Sequence, residues 1–147
     1  MKIVIDTNIV FSAILNANSR IASILLQPQS KLTFYTTDQL LTEIEKHRNK
    51  LKKLTSLSDV ELSQLISITI RQIKFINAQL IPGEIYQTVK VLTETIDIDD
   101  TEFVALAEHL KAKLWTGDKV LIKGLGQKGW NRFITTNELF DKLFTGG

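Results

Sequence analysis

Four carboxylates stand where an α/β chain gathers its chemistry. Asp6 ends the apolar run Ile3-Val4-Ile5, and Asp118 follows Leu114-Trp115-Thr116 after a single glycine, Gly117. Asp100 opens a segment with Phe103, Leu106, Ala107 and Leu110 at helical spacing, which feeds the second of those runs. Glu43 lies about one to two turns into the helical pattern Leu40, Leu41, Ile44. In an open α/β sheet, strand carboxyl ends and helix amino ends line one rim, where ligands bind. The spacing therefore predicts that the four acids meet. At ~4 Å and an effective dielectric of ~20, each pair of carboxylates repels by about 4 kcal/mol. Protons or cations must offset that repulsion, and oxygen-only donors suit the hard ions Mg²⁺ or Mn²⁺. Four carboxylates roughly neutralise two such ions. A metal pair can activate a water and stabilise the leaving oxygen of a phosphodiester. That chemistry asks for no nucleophilic side chain.

The positioning elements follow from the apolar pattern. Ile3-Val4-Ile5 is unbroken by polar residues, as in a strand buried on both faces of a parallel sheet. Val10, Phe11, Ile14 and Leu15 have helical spacing, and Ser19 can cap a second short helix that ends at Pro28. Leu32–Thr36 reads as the second strand, with Thr37 or Asp38 capping the helix that carries Glu43. A long helix is expected from Ser58, with Leu62, Leu65, Ile66, Ile73 and Ile76 on one stripe, then a short strand over 78–81. Ile68, Ile70 and Phe75 fall off that stripe, so the 58–80 helix is expected to bury a second face against another subunit or protein. Ile85, Val89, Leu92 and Ile96 mark the next helix. Lys113–Thr116 is a strand, 119–131 a loop, Arg132–Thr135 the last strand, and Thr136 or Asn137 caps a closing helix. Strands alternating with helices give an α/β class: one domain over residues 1–147, three layers α/β/α, with a central, mostly parallel sheet of about five strands.

Each acid also has a structural reading. Asp99 with Glu102 has capping-box spacing, and Asp100 in a first helical turn favours the helix dipole. Glu45 shares the helix of Glu43, and spacing does not choose between them. Asp6 and Asp118 show no capping role in the sequence. The chain has no cysteine and only two histidines, His47 and His109, which excludes disulfides, thiolate sites and a histidine-rich zinc site. Absent cysteine and membrane spans, a cytoplasmic protein is expected. The net charge of +2 is too small to direct a polyanion globally, so any basic contact surface must be local. Arg48 and Lys50, in the cluster from His47 to Lys53, and Lys119, Lys123 and Lys128 are the candidates for contacts to a nucleic-acid backbone. Gly124–Gly129 matches G-x-G-x-x-G, but no strand–glycine–helix unit surrounds it, so dinucleotide binding is rejected. Trp130 beside it either closes a core edge or stacks on a base.

Ile5-Asp6-Thr7-Asn8, the block Asp97 to Ala107 and Leu114-Trp115-Thr116-Gly117-Asp118-Lys119 resemble the signature blocks of the PIN-domain nucleases, in order and over nearly the whole chain. Glu43 in Leu40-Leu41-Thr42-Glu43-Ile44 matches the helix glutamate of that family. The resemblance implies a five-stranded parallel sheet between helices and Mg²⁺- or Mn²⁺-dependent cleavage of single-stranded RNA. It implies that Asp6, Glu43, Asp100 and Asp118 are the metal-binding, catalytic acids, with Asn8 and Thr116 supporting them by hydrogen bonds. Many members are VapC-like toxins held by an antitoxin, often as homodimers. Two other readings stay open: a non-catalytic RNA-binding or assembly module of the same fold, and a phosphotransfer domain that forms an aspartyl phosphate on Asp6. The second departs from haloacid-dehalogenase-like enzymes, which place an acid where Asn8 stands.

Overall fold

In a computed structural model that describes residues 1–28 and 31–144, the chain begins β1 (Lys2–Ile5), α1 (Thr7–Leu15), α2 (Arg20–Leu26), β2 (Thr33–Thr37), α3 (Gln39–Lys46), α4 (Arg48–Thr55) and α5 (Asp59–Ile70). It continues β3 (Ile73–Ile76), α6 (Gly83–Thr93), α7 (Thr101–Leu110), β4 (Lys113–Trp115), α8 (Lys119–Gln127), β5 (Phe133–Ile134) and α9 (Thr136–Phe144), with single 3-10 turns at Ala78–Leu80 and Ile98–Asp100. The strand order is β3-β2-β1-β4-β5, and every pairing is parallel. β1 is central. Val4 pairs with Tyr35 on one side and Leu114 on the other.

Ile3, Val4 and Ile5 are fully buried because the sheet separates two cores. Ile3 and Ile5 point into one, built from residues of α1, α2, α5 and α9 such as Val10, Ile24, Leu62 and Leu139. Val4 points into the other, with Val89, Val104, Leu106 and Leu121 of α6, α7 and α8. Alternation along a strand thus feeds both faces, and each buried Ile or Val contributes about 1.5–3 kcal/mol. This is the expected α/β/α arrangement with a five-stranded parallel sheet. Among the described residues, no single helix is long and apolar enough to cross a membrane.

Several elements depart from the sequence expectation. The long helix expected from Ser58 ends at Ile70 instead of continuing to residue 80, and Ile73–Ile76 forms the edge strand β3. Ile73 and Ile76 fit a helical stripe, but Ile73-Lys74-Phe75-Ile76 is also β-branched and aromatic, and β2 offers it a partner along Phe34–Thr37. Ala78–Leu80 is a 3-10 turn, not a strand, held by the Asn77 side chain accepting the Gln79 N–H at 2.9 Å. The expected loop after β4 contains α8. Its two glycines lower helix propensity, but Gly124 lies so close to Ile96 that a Cβ would stand 2.6 Å from Ile96 Cδ1. The G-x-G-x-x-G run therefore closes a helix, opposite to the arrangement that binds dinucleotides. The closing helix is capped by Thr135, not Thr136 or Asn137: Glu138 N–H donates to Thr135 Oγ1 and Thr135 N–H to Glu138 Oε1, both at 3.1 Å.

Candidate active site

The carboxyl ends of β1 and β4 are neighbours in register, Ile5 opposite Trp115. The next residues, Asp6 and Thr116, therefore emerge side by side. Asp6 is only 3% exposed. Its Oδ1 accepts the Ile9 N–H at 3.1 Å and caps α1. Burial pushes its carboxyl above the usual aspartate range, and the nearby Asp118 charge pushes the same way. Hydrogen bonds from the Thr116 side chain and the Ile9 and Asn8 backbones oppose the shift. Thr116 Oγ1 also accepts the Asp118 N–H at 3.1 Å, so one buried hydroxyl ties both strand-end acids together. Asp118 Oδ1 in turn caps α8 by accepting the Leu121 N–H at 3.1 Å. Both strand-end acids thus have a capping role after all. It escapes a sequence reading because no loop separates each acid from the helix that follows.

Asp100 behaves in the opposite way. It sits at the start of α7 but makes no side-chain cap bond. The expected Asp99–Glu102 capping box does not form. Instead Asp97 Oδ1 accepts the Asp99 N–H at 3.0 Å. The Asp100 carboxyl is pushed up to about 7, first by burial and then by the charges of Asp97, Asp6, Asp118 and Asp99.

Asp6, Asp100 and Glu43 line one cleft of about 160 Å³, together with Asp97 and Asp99. Asp118 stands beside it, close enough for its charge to act on both Asp6 and Asp100. Glu43 reaches the cleft from α3, where His47 Nε2 lies 3.4 Å from its Oε2 one turn on. Glu45 is exposed and does not line the cleft. Gln39 Nε2 donates to the Asp99 carbonyl at 3.1 Å and so ties α3 to the acidic turn. Asn8 lines the cleft and bonds Asp6 through its backbone N–H.

Two buried oxygens in this cleft, Thr7 Oγ1 and Asp100 Oδ2, have no hydrogen-bond partner among the described residues. A buried polar atom left unpaired costs about 1–3 kcal/mol, and two in one acidic cleft mark a place for a ligand that accepts oxygen donors. Hard divalent cations fit such a donor set. No group of three or more His, Asp or Glu among the described residues is already drawn in to metal-holding separation.

The basic candidates divide. Arg48 is committed to α5, donating to the Asp59 carbonyl at 2.9 Å and to Ser63 Oγ at 2.5 Å. Lys128 fastens α8 to the end of α6 through the Leu92 carbonyl at 2.8 Å and Thr95 Oγ1 at 2.5 Å. Lys50, Lys119 and Lys123 are exposed. Trp130 closes a core edge: it is 8% exposed and donates to Glu108 Oε2 at 3.0 Å. The sequence reading passed over His47, Gln39, Asp97 and Asp99 as parts of the cleft. The i, i+4 spacing of Glu43 and His47 was the available signal for the first of these.

A PIN domain family model matches residues 4–138. An uncharacterized protein of Methanocaldococcus jannaschii is 30% identical over 146 residues, covering 99% of this chain and 86% of that protein. Among solved structures, VapBC2 from Rickettsia felis, bound to a DNA fragment from its promoter, is similar in fold. The match has a TM-score of 0.65 at 18% identity, over 92% of this chain and 97% of that one.

Proposed function

The chain belongs to the PIN domain family, and from that membership we propose that it is a divalent-metal-dependent endoribonuclease acting on single-stranded RNA. The observation that supports it most is the convergence of Asp6, Glu43 and Asp100 on one cleft, beside Asp118, with a buried carboxylate oxygen of Asp100 left unpartnered. Asp6, Glu43, Asp100 and Asp118 would hold Mg²⁺ or Mn²⁺. When bound, such ions supply charge neutralisation, an activated water and stabilisation of a leaving oxygen. Thr116 keeps Asp6 and the Asp118 backbone in fixed relation, and the α1 and α8 caps hold each carboxylate on its helix end. Lys50, Lys119 and Lys123 are free to meet phosphates. The test is cleavage of a single-stranded RNA with Mn²⁺, with Mg²⁺ and with chelator. Activity that survives chelation sinks this reading.

A toxin role, with an antitoxin partner and a homodimer, is the extension we favour. Its support is the fold likeness to VapBC2 and the exposed Val60 and Ile68 along a groove on α5. Growth arrest on expression, relieved by a neighbouring gene product, tests it.

A further inference from the structure

A second cavity of about 280 Å³ adjoins the acidic cleft. Asn8, Phe11 and Leu15 form one wall, on a single face of α1 at i, i+3 and i+7. His47, Lys50 and Leu54 form the other, with the same spacing through α4. Asn8, Phe11 and His47 line both cavities, so the two are neighbours that share a wall. Phe11 and His47 pack edge to face with ring centroids 5.7 Å apart.

The composition of this cavity suits one kind of occupant. Leu15 and Leu54 are 46% and 58% exposed, which leaves apolar surface open to a flat ligand. Two rings stand at the mouth of the cleft, where bases are commonly stacked on aromatic and histidine side chains. The Asn8 amide offers both a donor and an acceptor to a base edge. Lys50 brings an exposed cation to the rim. A peptide could use the leucines, but it would not call for ring, amide and ammonium groups arranged around the entrance to a phosphodiester site.

We propose that this cavity receives the nucleobase adjoining the phosphodiester held at the acidic cleft, so that it selects the RNA sequence at the cut. The proposal rests on the ribonuclease reading for its location. Its test is separable. In the Asp6→Asn background with Mg²⁺, the anisotropy of fluorescein-labelled single-base RNA hexamers reports binding. One base is preferred, and Leu54→Glu weakens that hexamer by about tenfold and levels the preference. Leu15→Glu, on the opposite wall, does the same, so a folding failure of one variant does not decide the matter. Unchanged affinities in both variants overturn the proposal. So does an unchanged affinity accompanied by a shift from dimer to monomer, which would make the leucines a self-association surface. If the loss of binding appears while wild-type protein cuts no RNA with any metal, the subsite stands and the hydrolase reading falls. If wild-type protein cuts RNA and both variants keep its cleavage-site preference, the subsite alone falls.

Discussion

Asp6 and Asp118 cap their helices in the same way: Oδ1 of each accepts an N–H three residues on, from Ile9 and Leu121, at 3.1 Å in both cases. Thr116 stands between them, bonded to the Asp6 carboxyl and to the Asp118 backbone. A carboxylate has two oxygens and about four acceptor positions. The cap at Asp118 Oδ1 leaves its other oxygen for a ligand, and the three donors at Asp6 leave one of its roughly four positions, so capping does not use up either carboxylate.

Replacing Asp6 by Asn separates the two roles. Asparagine caps a helix as well as aspartate does, so α1 keeps its start. The substitution removes a buried charge that desolvation and Asp118 both disfavour. We expect metal-free Asp6→Asn to melt a few degrees above wild type. Its melting point should rise less on adding Mn²⁺, and RNA cleavage should fall by about 100-fold or more. Thermal melts with and without Mn²⁺, beside a cleavage assay, check all three.

Asp100 makes stability depend on pH, with a definite sign. Its carboxyl titrates at about 7 when folded and near 4 when unfolded. Between those values the folded protein holds more proton than the unfolded chain, so stability falls as pH rises through the window and the loss is complete above it. Asp100 is partly exposed, so solvent screening reduces the effect to about 1–2 kcal/mol. Urea unfolding in chelator should show wild type less stable at pH 8 than at pH 5, with Asp100→Asn removing most of that difference. Mg²⁺ should restore stability to wild type at pH 8 and not to the variant.

Glu43 and Glu45 are two residues apart on α3, yet only Glu43 faces the cleft. Glu43→Gln should lower cleavage by about 10- to 100-fold. Glu45→Gln should stay within about twofold, since its surface position carries little energy. Equal losses in both would place the third wall of the site elsewhere.

The sheet centre was readable because Ile3-Val4-Ile5 has no polar alternation, and burial on both faces has no other common cause. The edge strand β3 was not, because Ile73 and Ile76 satisfy helical spacing as well as strand propensity, and only pairing with β2 decides between them. Convergence of the acids was inferred from strand ends and helix starts. Their environments were not: nothing local distinguishes Asp100, half-buried and making no cap bond, from Asp99, which caps nothing and yet was the better capping candidate. His47 read as one of a basic run, since its nearness to Phe11 depends on how α1 packs against the end of α3.

The same limit explains α8. Its glycines argued for a loop, but Gly124 is required by a contact distant in sequence. An added Cβ would lie 2.6 Å from Ile96 Cδ1 and 3.0 Å from Ile96 Cγ1. Two effects oppose each other in Gly124→Ala: alanine favours a helix interior by about 1 kcal/mol, while overpacking costs about 1–3 kcal/mol. The clash should win in the wild-type background. Ile96→Ala removes Cδ1, Cγ1 and Cγ2 and leaves room, so the alanine at 124 should then keep its helix benefit. We expect a double-mutant cycle at 124 and 96 to show coupling of about 1 kcal/mol or more in favour of the pair. Additive effects would mean that the glycine serves the backbone of α8 rather than its contact with Ile96.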